Sequence, residues 1–546
     1  MQQLASDDAE ASPVEILQAI VPGSPEAGAE LAKLVAYDLD PNVSQCAASL
    51  LCLALEGKGV PPRDKPLLQE AAKPVLYAAL HDPDLPDDRK YHAGPLYILC
   101  GGQMDSQELC SVFRDFEGTA RRNVREAFRG LSDQPDGISQ ALFSLGLLEG
   151  GKAAPTEEAF YRVTELGLDL LEVNRDAAAT LLAAVVAMAA DHGAAGEEAH
   201  RALDALAEAP CERTAWCLAE LASWPAMGDL GAKARALRNA MGARGVAPAY
   251  HLTSKFSRAL LSAVDGAGTR SMALFFRSPD GQLDLCTVLL NDVVGVKDAW
   301  CSFGNAEEIE AQLQGRGELV LAPCSPALAR EVLADAAAIH AERGTPFPGP
   351  LFVCRPYLGP EPLAARRRTP DLRAYPIDRI ERTPAMFEGC EVLHHHPAYG
   401  AFTFTSDAAY AFLSSNPVRN DGTVPSEKFE TFVREIAARD KGVLLARMAA
   451  NLEVEALAGR ASDEANQTAA RAWLGLRDAV VPFHEVPYVR RLCEESIGMV
   501  AQNLRLGFRS QAEADRAALA LDLPSPEDEG DGDADDEFSG NRFRRF

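Results

Sequence analysis

The first 250 residues constrain the fold most, because they are an Ala- and Leu-rich succession of short amphipathic segments punctuated by Pro, Gly and Asp. A segment of a few turns cannot hide its apolar stripe by itself, so a run of them must cover one another. The helix starts share one device. Ser12-Pro13, Ser24-Pro25 and Asp40-Pro41 each put a capping oxygen ahead of a Pro at the first helical position, where its missing N–H costs nothing. After Asp40-Pro41, the residues Val43, Ala47, Leu50, Leu51 and Ala54 recur at helical spacing and form one stripe. From Ala177 to Ala190 the chain is apolar except at Thr180 and stops at Asp191. That run falls short of the roughly 20 apolar residues a membrane span needs, so it reads as a helix buried inside a soluble protein.

The stretch DLDPNVSQCAASLLCLAL, with Asp40-Pro41, Val43, the Ala47-Ala48 pair and Leu51, resembles a HEAT-type repeat helix. LHDPDLPDDRKYHAGPLYIL, with Asp82-Pro83, Ala93 and Leu96, is a looser copy, and VNRDAAATLLAAVV is looser still. The resemblance covers roughly 40–240. It implies an α-solenoid of antiparallel helix pairs whose inner helices line a binding groove. An irregular helical bundle is the alternative, since no fixed period emerges.

The 546 residues exceed what one core holds, and two to four domains are expected. Acidic residues outnumber basic ones, 80 to 53, for a formal charge of −27. A field of that sign repels phosphate backbones and anionic lipid, so neither nucleic acid nor membrane is the expected partner. The first residues lack a basic cluster followed by an apolar core, so no secretory signal is read and a cytoplasmic location is expected. The twelve cysteines are scattered, mostly in apolar settings such as SLLCLAL and LFVCRPY, and no C-x-x-C occurs. Reduced core thiols are the expectation.

The domain plan reads as a disordered 1–11, a HEAT-like helical domain over 12–250, an α+β domain over 251–410, a helical domain over 425–520 and an acidic disordered tail over 521–546. Within the α+β domain a helix is expected around His251–Val264. SMALFFRS and QLDLCTVLLND read as a hairpin about Pro279-Asp280-Gly281. A helix near 305–314, a strand ELVLAP and a long helix from Ser325-Pro326 to Gly344 follow. PLFVCRPYL reads as a strand, and CEVLHHHPAYGAFTFTS as two strands joined through Pro397 and Gly400. The segment 527–537 holds eight acidic residues in eleven, which cannot offset the entropy of folding.

Four constellations are candidates for chemistry or binding. LLNDVVGVKDAW sets Asn291, Asp292, Lys297 and Asp298 where an apolar strand ends, and an Asp beside a Lys can tune a general acid or base. This run together with its hairpin resembles bacterial proteins of unassigned function, which implies a grouping and no mechanism. The alternative is a strand-exit turn held by local hydrogen bonds and an ion pair. His394-His395-His396, near Cys390 and Glu391, would set His394 and His396 on one strand face as weak metal-ligand candidates. The alternative is a polar strand end, and no metal or other cofactor is expected. The arginine run over 365–382 offers Arg366, Arg367, Arg368 and Arg373 as anion-binding candidates, with Arg379 and Arg382 beyond. A solvated loop, or docking against the chain's own acidic helices, is the alternative. The terminal FSGNRFRRF offers Phe538, Phe543 and Phe546 as a docking peptide.

No phosphate-binding loop, G-x-G-x-x-G, H-E-x-x-H or G-x-S-x-G occurs. The leading expectation is therefore a non-catalytic scaffold that binds a protein or peptide. The rival is a metal-dependent or acid/base enzyme, or a small-ligand module, seated in 251–410.

Overall fold

Asp40 opens its helix as its neighbours imply, its carboxylate accepting the Asn42 N–H at 2.9 Å. In the computed structural model the chain divides into two units, residues 1–130 and 131–546. It describes residues 26–514 apart from 56–59, 105–107, 109–110, 129, 149–154, 194–195, 280, 305–320, 360–362, 417 and 420–423. The disordered ends expected at 1–11 and 521–546, the helix at 305–314 and the docking residues Phe538, Phe543 and Phe546 lie outside the described residues.

The first unit contains α1 (Ala27–Tyr37), α2 (Pro41–Leu55), α3 (Lys65–His81), α4 (Asp87–Leu99) and α5 (Phe116–Ala127). Of the stripe read on α2, Ala47, Leu50, Leu51 and Ala54 are buried, and they share a core with Leu31, Val35, Leu68, Leu76 and Leu96. Gly28 lets α1 approach α3 closely, since a Cβ there would lie 2.5 Å from the Leu68 carbonyl oxygen.

The second unit begins with α6 (Pro135–Ser144), α7 (Glu157–Leu170), α8 (Arg175–His192), α9 (Gly196–Glu208), α10 (Glu212–Ser223) and α11 (Gly228–Ala243). α8 is the apolar run singled out above. Every residue from Ala177 to Ala189 is buried, the Asn174 side chain caps the start, and Gly193 ends the helix at φ +61°.

A five-stranded antiparallel sheet follows, in the order β4-β3-β2-β1-β5. Its strands are β1 (Lys255–Ser262), β2 (Thr269–Arg277), β3 (Leu283–Asn291), β4 (Gly295–Gly304) and β5 (Leu321–Cys324). β3 is buried from Leu283 through Leu290, as a strand covered on both faces must be. α12 (Pro326–Arg343) packs on β1 and β4, with Ser325 capping its start and Gly344 ending it at φ +64°, as read from the sequence. A short α13 (Leu351–Cys354) runs into a 3-10 turn, Arg355–Leu358. The remainder is helical: α14 (Asp407–Ser415), α15 (Ser426–Thr431), α16 (Lys441–Leu457), α17 (Glu464–Arg477) and α18 (Pro487–Arg505).

Three local expectations are overturned. Residues 255–262 form β1 rather than a helix, because pairing between β2 and β5 satisfies their backbone on both sides. PLFVCRPYL is helical rather than extended. Pro350 and Pro356 lack the N–H a central strand would donate, and all four residues of α13 are buried in the helical form. CEVLHHHPAYGAFTFTS forms a 3-10 helix over Cys390–His395 and then a non-strand path. Side chains of the later helices take its backbone groups instead of a partner strand. Ser496 Oγ accepts from Phe404 N–H at 2.8 Å, Tyr488 donates to the Tyr399 carbonyl at 2.7 Å, and Asn451 donates to the Ala398 carbonyl.

Candidate functional site

The polar cluster at the end of β3 builds the turn into β4. Asn291 Oδ1 accepts the N–H groups of Val293 and Val294 at 2.9 and 3.1 Å, and its amide donates to the Ala267 carbonyl at 3.0 Å. Asp292 is gripped by Arg447 from α16, whose Nε donates at 2.6 Å and whose Nη2 donates at 3.2 Å. Asp298 accepts its neighbour's N–H, from Ala299, at 2.8 Å. Burial, together with Asp191, pushes the Asp298 carboxyl above the ordinary aspartate range, against the pull of Lys297.

Lys297 has a different part. Leu290 pairs with Val296 and Leu289 with Asp298, so Lys297 is the extra residue of a β-bulge. His340 of α12 supports that bulge: its Nε2 accepts the Val296 N–H at 3.0 Å, while Nδ1 lies 3.1 Å from Thr345 Oγ1. A Cβ on Gly295, at φ +89°, would sit 2.6 Å from the same imidazole.

The arginine run docks on the chain's own acids. Arg368 makes a two-pronged pair with Glu453 of α16, its Nη1 donating at 2.9 Å, and Arg367 reaches Glu342 at 3.0 Å and Asp335 at 3.4 Å. Arg373 pairs with Asp371 at 2.6 Å, and the Arg366 backbone N–H bonds the Ala334 carbonyl at 2.9 Å. Beside Arg368 lies a cavity of about 430 Å³ whose lining includes Glu331, Asp371 and Glu453 against that one arginine. Its charge has the wrong sign for an anion site.

The histidines do not share a strand face, because no strand forms there. His394 Nδ1 contacts the Glu391 carbonyl, the His395 ring lies against that of His394 with centroids 3.5 Å apart and planes tilted by 44°, and His396 turns back to accept the Ala398 N–H at 3.2 Å. Cys390 is buried, and burial pushes its thiol up to about 11.

Three cysteines do converge: the Sγ atoms of Cys286, Cys301 and Cys354 all lie within 4.8 Å of one another. Cys286 and Cys301 are cross-strand partners on β3 and β4, and Cys354 comes from the end of α13, its Sγ 3.4 Å from that of Cys301. Hydrogen bonds from the other two thiols draw Cys286 down to about 5, while Cys301 and Cys354 are pushed up. Two residues before Cys286, the buried Asp284 accepts hydrogen bonds from Ser254 Oγ and, at 3.2 Å, from Tyr357 Oη. Burial and the neighbouring Cys301, Asp284 and Cys286 hold the Tyr357 phenol well above its usual range, so it stays a donor. Sequence reading missed this trio because its members are 15 and 53 residues apart and match no ligand spacing. The available signal was Cys286 and Cys301 at nearly equal distances from the Asn291 turn.

The first unit offers a feature of another kind, an apolar seam between α3 and α4. Gln69 donates to the Leu99 carbonyl at 3.1 Å, Lys73 donates to the Gly101 carbonyl at 2.7 Å, and the Tyr77 ring lies 5.7 Å from that of Tyr97. Along it Tyr77, Ile98 and Leu99 remain 44%, 51% and 41% exposed. Among protein-family models, curated proteins and solved structures, none matches this chain.

Proposed function

We propose that this chain is a non-catalytic scaffold that binds a protein or peptide partner through its helical first half. The seam where α3 meets α4 carries the reading: Tyr77 on one helix and Ile98 and Leu99 on the other stay exposed although both helices have a filled core, and large apolar side chains left in solvent mark an interaction surface. A HEAT-like arrangement is supported by the second unit, where α8 packs on α7, α9 and α10, and α11 on α9 and α10. α8 is thus shared by three helices, and α11 closes on the last two of them, a succession of local helix–helix contacts of the kind stacked helix pairs make. With a charge of −27 the partner is a neutral or basic segment with apolar anchors.

The test is a photoreactive side chain installed at position 77 or 99 in the native cell, with position 506 as an exposed control. The expected result is one shared polypeptide adduct at 77 and 99, absent at 506 and lost when Ile98 is changed to Ser. No adduct at the seam, or the same adducts at all three positions, would refute the scaffold reading.

A further inference from the structure

We propose that Cys286, Cys301 and Cys354 hold a thiophilic closed-shell metal ion, Zn²⁺ or Cu⁺, as a structural centre between the sheet and α13. The site is independent of the scaffold reading and of the apolar seam.

Distance is the first argument. Metal–sulfur bonds of about 2.3 Å place ligating sulfurs roughly 4 Å apart in a trigonal or tetrahedral set. The three Sγ atoms, mutually within 4.8 Å and 3.4 Å apart for Cys301 and Cys354, bracket that spacing. Small side-chain rotations would seat the ion without moving the backbone.

Rigidity is the second. Cys286 stands on β3, which is paired on both edges, and Cys301 lies directly opposite on β4. Cys354 ends a helical turn buried throughout. Ligands on such elements are pre-positioned, so little ordering entropy opposes binding. Cys286 and Cys354 are buried and Cys301 is partly exposed.

The third argument is the polar surround. Asp284, two residues from Cys286 on β3, accepts hydrogen bonds from Ser254 Oγ and Tyr357 Oη. The Tyr357 bond ties the turn just beyond Cys354 to the strand that carries Cys286, which fixes the two thiols relative to each other.

Ligand type selects the ion. A sulfur-only set, with no imidazole or carboxylate oxygen in the trio, favours Zn²⁺ or Cu⁺ over Mg²⁺, Ca²⁺ or Mn²⁺. Core filling alone does not call for such convergence. Cys217 and Cys493, equally buried, belong to no such group among the described residues.

The experiment uses the full chain, purified under reducing, oxygen-free conditions without chelator. Elemental analysis should find about one Zn or Cu per chain, and X-ray absorption at that metal's edge should show sulfur near 2.3 Å. Chelator-stripped protein should regain the ion, and with Co²⁺ it should develop a sulfur-to-metal charge-transfer band. Cys286→Ser, Cys301→Ser and Cys354→Ser should each lose the ion to a competing chelator that Cys493→Ala withstands. The wild-type absorption spectrum reports the same site should those variants fail to fold. A chain that takes up no Zn, Cu or Co, a nitrogen or oxygen shell, or a Cys301–Cys354 disulfide formed under these reducing conditions would overturn the proposal.

Discussion

Cys286 faces Cys301 across the β3–β4 pair because Lys297 is one residue too many. Asn291 opposes Gly295 at the turn, and continuing that register would set Cys286 against Trp300. The bulge shifts the partner by one, so Cys301 stands there instead.

Deleting Lys297 should remove the bulge yet leave Cys301 opposite Cys286, because every residue beyond the deletion keeps its present partner. The expected outcome is retained metal, read by elemental analysis, with a loss of stability of about 1 kcal/mol or more in urea unfolding as the turn leaves the His340 imidazole. Lys297→Ala keeps the extra residue and should keep both.

His340 should make stability depend on pH. Burial lowers its pKa below the ordinary histidine value, so the folded chain prefers the neutral ring that accepts the Val296 N–H. Between that lowered value and about 6.5 the unfolded chain binds a proton that the folded one refuses. Stability is thus full above about pH 6.5 and falls as the pH drops through this window. His340→Gln should show a shallower acid limb in a denaturation series run against pH. His92 and His396, shifted the same way by burial, should leave it a residual slope.

Glu220 should rank among the most sensitive positions in the second unit. It joins Arg355, with the pair 3% and 0% exposed, and also accepts from Trp224 Nε1 at 3.2 Å. Glu220→Gln leaves a buried guanidinium without its counter-charge and should cost about 3 kcal/mol. The exposed pair of Lys33 and Glu30 is the contrast: Lys33→Ala should change stability by less than about 0.5 kcal/mol. Chemical denaturation decides both.

Tyr77→Ser and Leu99→Ser should separate binding from folding. Both side chains are a little under half exposed and Tyr77 also packs on Tyr97 and His81, so each change should cost about 1 kcal/mol or less. Partner capture through the seam should nevertheless fall. A drop in melting temperature that accounts for the lost capture would place these residues in the core's economy instead.

Much of the fold was legible wherever a local rule had no competitor. The stripe on α2, the buried run of α8, the Ser325 and Gly344 ends of α12 and the β2–β3 hairpin follow from periodicity and capping chemistry. The misread segments are those whose backbone is satisfied from far away. Residues 255–262 read as a helix until β5 arrives to pair with them, and the histidine segment read as strands until Asn451, Tyr488 and Ser496 take its peptide groups. The polar groups of the candidate sites are engaged in structure: Asn291 with the turn, Asp292 with Arg447, Arg368 with Glu453.

Sequence alone determined the helical character of the first half, the hairpin and the helix ends, because those depend on neighbours a few residues apart. Tertiary structure decided which thiols meet. Cys354 reaches the pair on β3 and β4 only once α13 packs on β4, and Cys301 reaches Cys286 only through a bulge that His340 supports from another element. Local sequence cannot encode such a meeting, since one added residue in a strand exchanges the faces of every side chain beyond it.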